Sequence, residues 1–526
     1  MRALLKDPEL AHRRRWLTLA VLCVSLMVIV LDNTILNVAL PTLAKPYRLG
    51  GIAASASQQQ WIVDSYTIVF AGLLLTAGSL GDRFGRYRAL AGGLAVFGIG
   101  SAMSAFTSSP TTLIMTRALM GIGGAFIMPS TLSILTNVFT DPKERLKAIG
   151  LWAGVAGLSA IGPVTGGFLL SHFWWGSVFL INVPIIIAGL VAGYFLVPDS
   201  RDPSQPKLDP VGAVLSIAAL GTLLWSIIEA PSHGWGSTSI TTGFVVGALL
   251  LTGFLLWELH TPNPMLQMQF FKNRRFSAAS GAITLTFFSL FGTIFLLTQY
   301  LQIVLGYSAI KAGALLLPQG AVMLVFAPLS SLWVGRLGNK AVVAGGLGVV
   351  ATALCLMATV NEHSSAVFLV GILALMGLGM ANVMAPATDS IMGSLPRAKA
   401  GVGSAVNDTT RQAGGAIGVA VLGSVLASRY RSHIVQVLGH NFPLLNGVRD
   451  NVAAAKGFAL ANPAAQPVKA QILHAAYASF ISGLHEAVLV SAAIIVITAV
   501  GVIAWLPSRP VEEDQLEPAA TERAHA

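Results

Sequence analysis

Long apolar stretches, separated by short polar or basic segments, recur from one end of the chain to the other. Fourteen of them are long enough to cross a membrane: 16–40, 60–81, 89–107, 111–139, 147–171, 175–197, 211–230, 239–258, 277–303, 312–335, 340–360, 365–391, 402–428 and 485–506. A helix rises about 1.5 Å per residue, so about 20 residues match a hydrocarbon layer ~30 Å thick. The pattern predicts an all-α polytopic membrane protein with 14 transmembrane helices. The first run is too long for a secretory leader and has no small-residue cleavage site, so it is expected to stay as a membrane anchor.

Polar residues inside these runs are few. The first run holds one acid, Asp32. Ser25 and Asp32 are seven residues apart and share a helical face, which Asn33 and Asn37 flank. A bare carboxylate at that depth costs about 2.5–3.5 kcal/mol on insertion scales, so it must face protein or water, pair, or bind a proton. The second run carries Asp64 between Trp61 and Tyr66, and the fourth carries Arg117 on one face with Gly121 and Gly124. Counting helical rise from the run ends puts Asp32, Asp64 and Arg117 in the outer half of the bilayer. The thirteenth run aligns Ser404, Asp408, Arg411, Gln412 and Gly415 on one side. Arg411, at i+3, is placed to neutralise Asp408 locally. Asp389, Glu229, Glu258 and Glu486 fall at run ends and read as interfacial.

Two opposing influences act on the Asp32 proton, the nearby guanidinium and the loss of water. A permanent clamp between Asp32 and Arg117 would leave no room for proton exchange. The expectation is that Arg117 engages Asp32 in one conformation only; the alternative is a purely structural ion pair. Asp64, with aromatic neighbours near the outer mouth, suits a lipophilic cation, which carboxylates and aromatic faces both attract.

Composition agrees with a membrane protein: 10% of residues are charged, 54% are hydrophobic and the mean hydropathy is +0.73. A pI near 9.8 invites a nucleic-acid partner. The cations argue against one, because they sit in short clusters between apolar runs, as topology signals do. With the N-terminus in the cytoplasm and sides alternating, 22 of the 32 Lys and Arg fall inside and eight outside. Five of those eight lie in segment 429–484, and Arg117 and Arg411 lie within the membrane. Fourteen crossings with both ends cytoplasmic keep this bias; an odd slip would scramble it. The two cysteines, Cys23 and Cys355, lie in apolar runs, and no histidines have metal-ligand spacing. No phosphate-cradling Gly-x-x-x-x-Gly-Lys segment is present, so no cofactor is expected and an ion gradient must supply the work. At 100 mV one charge moved is worth about 2.3 kcal/mol, and each pH unit adds about 1.4 kcal/mol.

The segment between the second and third runs reads Gly78-Ser79-Leu80-Gly81-Asp82-Arg83-Phe84-Gly85-Arg86-Tyr87-Arg88, and a weaker echo, Gly335-Arg336-Leu337-Gly338-Asn339-Lys340, follows the tenth. Asp82 is suited to bond free backbone donors or facing arginines, and Gly85 permits a tight turn. The echo indicates a duplicated half. It divides the chain into a six-helix bundle over 1–200, an inserted helix pair over 201–260, and a second bundle over 261–526. The second bundle includes a long external loop, 429–484, in which 468–483 has the pattern of an amphipathic surface helix or a plain loop. The acidic tail from Val511 reads as a cytoplasmic appendage. The fifth run places Gly154, Gly157, Gly162, Gly166 and Gly167 around Pro163. That spacing lets another helix approach closely, and the Gly-Pro step permits a bend.

Five strings together resemble the major facilitator superfamily, and within it the fourteen-helix drug:proton antiporters that include QacA-like quaternary-ammonium exporters. They are Leu31–Pro41, Gly78–Arg88, Arg117-x-x-x-Gly121, the Gly162-Pro163-x-x-Gly166-Gly167 signature and Phe179–Pro184. Trp61–Tyr66 resembles the QacA-like subgroup, which carries an acid there. The resemblance implies two bundles rocking about a central cavity and export of lipophilic, often cationic compounds in exchange for protons. It implies an acid function for Asp408 and a latch at Asp82, Arg83, Gly85 and Arg86. The tenth run lacks the deep acid of some such exporters, so nothing argues for divalent selectivity. The combined reading is an inner-membrane multidrug antiporter and not an enzyme. Asp32 takes the proton under the influence of Arg117, and Asp64 and Asp408 offer charge to the substrate. Two rivals are an exporter of an endogenous metabolite or lipid-like molecule and a non-transporting scaffold. The partners expected are protons, small lipophilic cations and the lipid bilayer.

Overall fold

The computed structural model describes residues 13–43, 50–54, 56–155, 157, 161–202, 209–264, 266–439, 442, 444–449 and 451–507. Lys207, the tail from Val511, and Leu158, Ser159 and Ala160 of the fifth run lie outside the described residues, as do the side chains of Asn37, Pro41 and Pro163. The described residues form helices and turns, with no strand.

The first half contains α1 (Arg15–Leu43), α2 (Ala56–Phe84), α3 (Arg86–Ala105), α4 (Pro110–Val138), α5 (Pro142–Gly154), α6 (Ile161–His172) and α7 (Asn182–Leu196). Next come α8 (Pro210–His233) and α9 (Thr238–His260). The second half contains α10 (Arg274–Gln299), α11 (Ala309–Met357), α12 (Ala366–Met392), α13 (Ala400–Leu438), α14 (Val452–Ala461) and α15 (Lys469–Trp505). Among the described residues, twelve helices are long and apolar enough to cross a membrane. That number takes Lys311–Met357 as one stretch, although its backbone leaves helical geometry at Gly338 (φ 80°). It omits the fifth run, which is split into α5 and α6 of 13 and 12 residues. The run therefore does not form the single continuous helix that its apolar length predicts.

Local chemistry sets several boundaries. Asp141 caps α5 by accepting from the Glu144 amide at 2.9 Å, and Asp209 caps α8 by accepting from Gly212 at 2.8 Å. α2 and α3 are separated by Gly85 alone, at φ 116°, a region that residues bearing a Cβ rarely adopt. Gly338 plays the same part within α11, so the two related segments share a turn as well as letters.

Within the first half α2 and α3 both pack on α4, and α1 lies against α6 and α7; in the second, α11 packs on α12, and α13 lies between α10 and α15. The halves meet where α13 touches α2 and α4, and where α5 touches α11 and α12. Gly78 and Gly401 meet so closely that a Cβ on Gly78 would lie 2.6 Å from the Gly401 carbonyl oxygen. The inserted pair sits outside, with α8 resting on α2 and α13 and α9 resting on α8.

The region beyond 428 differs from the loop expected there. α13 runs on to Leu438 and α15 starts at Lys469, so most of 429–484 is helix. Residues 469–483 are the first turns of α15 and pack against protein. Ile472, Ala476, Phe480 and Gly483 form a buried seam against α13, joined by Tyr430, Ile434 and residues of α14. The helical apolar repeat continues through this segment, and pairing of two small-residue faces keeps both helices wound.

Candidate functional site

The centre of the first half is an ion pair away from solvent. Asp32 on α1 is 2% exposed and Arg117 on α4 is 0% exposed. The Arg117 Nη1 donates to Asp32 Oδ2, and its Nε donates to the Ile62 carbonyl at 3.1 Å. The other carboxylate oxygen accepts from the Asn182 amide at 3.1 Å, and Asn182 also reaches Ser101 Oγ at 3.2 Å. Ser101 in turn donates to the Phe179 carbonyl at 2.8 Å. The guanidinium lies over the Tyr66 ring, 4.5 Å from its centre, and Tyr66 stacks on Phe70. Arg117 Nη2 makes no hydrogen bond, so the contact with Asp32 is single-pronged and not a closed fork.

Five helices, α1, α2, α3, α4 and α7, contribute side chains to this cluster, and two of its members, Asn182 and Ser101, were not among the residues singled out for function. Asn182 lies inside the Phe179–Pro184 string, where an amide heading an apolar helix was the available signal. Tyr66 does not join Asp64 at an outer mouth; it is buried beneath Arg117. Ile62, Ser65 and Tyr66 face α4, whereas Asp64, 9% exposed, lies on another face of α2. Trp61 is half-buried, and Asn33 is exposed with its amide donating to the Ile29 carbonyl at 3.0 Å. Ser25 is buried on the Asp32 side and bonds its own helix at Val21.

In the second half Asp408 is 0% exposed. One of its oxygens accepts from Asn407 at 3.2 Å, and the other makes no hydrogen bond. Arg411 does not pair with it. Its Nη2 donates to Thr388 Oγ1 at 3.0 Å, and its guanidinium lies between the rings of Trp152 (5.1 Å) and Phe287 (5.3 Å). Trp152 comes from the first half and Phe287 from the second.

The third cluster closes one end of the molecule. Asp82 accepts from the amides of Gly401 (2.9 Å) and Val402 (3.1 Å) at the start of α13, and from Arg86 at 2.8 Å. Arg86 also donates to the Arg397 and Ala398 carbonyls. Arg83 is half-buried over Phe84. Asp389 is 7% exposed and holds Arg145 at 3.0 Å across the halves and Arg275 at 3.7 Å within its own. Both guanidinia cover it, so this acid is enclosed by protein. Glu229 and Glu258 are likewise buried, at 4% and 3% exposed, with Glu258 accepting from the Leu266 amide at 3.0 Å. Glu486 is the exposed one and pairs with Arg429 at 3.3 Å.

The glycine-rich fifth run lies in two seams. Gly154 faces Leu324 of α11, and Gly157 meets Gly320 backbone to backbone; Gly162 and Gly166 face Thr34 and Ile35 of α1. Gly167 is half-buried in α6, and Pro163 falls in its first turn. Among the described residues, no group of His, Cys, Asp or Glu is arranged to hold a metal.

Buried charges at membrane depth, helices in close glycine contact and latches joining two halves define a multi-pass membrane transporter. The Major Facilitator Superfamily model matches residues 22–419, and the chain belongs to that superfamily. It is 37% identical over 493 residues to the multidrug efflux pump LfrA of Mycolicibacterium smegmatis, covering 93% of this chain and 96% of that one. It is 38% identical to the tetracenomycin C resistance and export protein of Streptomyces glaucescens, over 79% and 77% of the two chains. Over 94% of this chain and 93% of the other it is 31% identical to the multidrug resistance protein Stp of Mycobacterium tuberculosis strain CDC 1551. The human organic anion transporter MFSD10 shares the fold with a TM-score of 0.59 at 15% identity, covering 93% and 99% of the two chains. The chain is thus a transporter and not an enzyme, related to pumps named for drug export.

Proposed function

We propose that the protein exports lipophilic, cationic compounds across the cell's inner membrane in exchange for protons. It crosses fourteen times with both termini cytoplasmic, α5 with α6 making one crossing and α11 making two about Gly338. Residues 1–200 and 261–526 form the moving bundles, and 201–260 is the inserted pair. The observation that carries the reading is the buried carboxylate of Asp32, held on one oxygen by Arg117 and on the other by Asn182.

With the Asp82 and Asp389 latches closed at the cytoplasmic side, Asp32 is the charged partner of Arg117. A proton arriving from outside neutralises Asp32 and weakens its hold on the guanidinium, which leaves Arg117 resting on the Tyr66 ring and the Ile62 carbonyl that it already contacts. Reopening toward the cytoplasm exposes the acid to a lower proton supply, and the pair re-forms as the proton leaves. Asp64 and Asp408, with Trp61, Asn33 and Asn37, supply the negative and aromatic surface for a cation, while the Tyr66 ring lies beneath the Arg117 guanidinium instead. The Asp408 oxygen without a hydrogen bond supports a role beyond packing, since a buried unsatisfied acceptor costs about 1–3 kcal/mol. No cofactor takes part; the proton gradient drives the cycle.

The test is ethidium efflux in everted vesicles from cells making the wild type or Asp32→Asn. Efflux is expected to stop when the pH and voltage gradients are collapsed together, and Asn at position 32 is expected to lower the driven rate at least tenfold. Wild-type efflux that survives full collapse rules out proton coupling.

A further inference from the structure

We propose that the cleft between the start of α10 and the end of α15 binds the phosphate headgroup of an anionic phospholipid of the cytoplasmic leaflet. The cleft has a volume of about 570 Å³ and is lined by Lys272, Arg274 and Ser277 on one side and Trp505 on the other, with Phe271 beside them. That volume is in the range of small-molecule sites, roughly 300–1,000 Å³, and has room for a glycerophosphate. No carboxylate lines it.

The three cations of this segment have different surroundings. Arg275 is buried and directed to Asp389. Lys272 and Arg274 are exposed and, among the described residues, make no ion pair. Two cations facing an otherwise uncharged cleft leave a net positive site that an anion complements. The depth selects the kind of anion. The apolar span of α10 begins at Arg274 and that of α15 ends at Trp505, so the cleft opens where hydrocarbon gives way to headgroups. Trp505 is 69% exposed and Phe271 is 41% exposed at that level, and such rings favour the interface. Basic clefts between helices on the cytoplasmic side are suited to acidic headgroups. The site depends on the threading of these two spans and not on the transport reading.

The experiment is native mass spectrometry of the full chain in detergent, with equal amounts of dioleoylphosphatidylglycerol and dioleoylphosphatidylcholine. The wild type is expected to retain the anionic lipid preferentially. Lys272→Gln with Arg274→Gln is expected to cut that preference by up to about 30-fold, which corresponds to about 1 kcal/mol per cation near the surface. Lys272→Arg with Arg274→Lys keeps the charge and is expected to keep the preference. Arg336→Gln, an exposed cation outside the cleft, is expected to leave it unchanged. Equal loss on Arg336→Gln, or no loss in the Gln pair, overturns the proposal. So does calorimetric binding of inorganic phosphate that the Gln pair abolishes, if the wild type shows no lipid preference. Unchanged thermal unfolding of the Gln pair in phosphatidylcholine shows that the variant is folded.

Discussion

Asp32 and Arg117 pair in a buried setting, and the stability of such a pair depends on every lone pair and donor being accommodated. Removing one member of a buried pair costs about 3–5 kcal/mol, because the survivor is left charged in a poor solvent. The cluster spreads that demand over Asn182, Ser101, Ile62 and Tyr66. Lysine at 117 keeps the charge but loses the planar stack and the Nε bond. Arg117→Lys is therefore expected to fold and to pump about tenfold more slowly; an efflux rate within twofold of wild type would refute the role given to the guanidinium. Asn182→Ala leaves one Asp32 oxygen without its donor. It is expected to cost about 1–3 kcal/mol in thermal unfolding and to slow proton-driven efflux together with it. The sequence marks Asp32 and Arg117 clearly, since charges in apolar runs are rare. It marks Asn182 weakly, because an amide at the head of a helix more often caps than serves a site.

The two halves are joined by short polar contacts and backbone-to-backbone packing. Asp82 sits on the amide end of α13, where negative charge is worth about 0.3–1 kcal/mol through the helix dipole and more when partly buried. It also neutralises Arg86, which is 1% exposed. Asp82→Asn removes both effects and is expected to open the cytoplasmic side. With Cys23 and Cys355 replaced by alanine, Ser404→Cys reports this by its reaction with an impermeant maleimide in everted vesicles. Ser404 is fully buried here, so labelling should rise about fivefold when the latch is lost, and unchanged labelling would show that Asp82 holds nothing shut. The turn at Gly85 was readable from its neighbours. The partners of Asp82 were not, because they lie 319 and 320 residues away.

At the scale of the molecule, the two halves share a plan but not their latches. The first half uses Asp82 at its turn. The second has Gly335 and Asn339 in the related segment, and its acid, Asp389, comes from α12 instead. Past residue 428, α13 continues as a helix packed with the first part of α15, with α14 against α15. Amides of 429–436 and 472–482 are therefore expected to exchange hydrogen slowly in the purified protein, at rates near those of the membrane helices. Fast exchange there would return the segment to the loop that its polar residues predicted. That expectation failed because His433, His474 and Tyr477 interrupt the hydropathy without interrupting the small-residue seam.

The order of the apolar spans, their approximate ends and the rarity of Asp32, Asp64, Arg117 and Asp408 within them all follow from the chain alone. A hydrocarbon layer reads length and charge locally, and each of these properties is local. Tertiary structure alone decided that Arg117 holds Asp32 by one prong, that Arg411 turns from Asp408 to Thr388, and that Asp389 ties the halves. Those choices depend on which helices lie side by side, and neighbours that pair from separate helices leave no periodic trace in either partner.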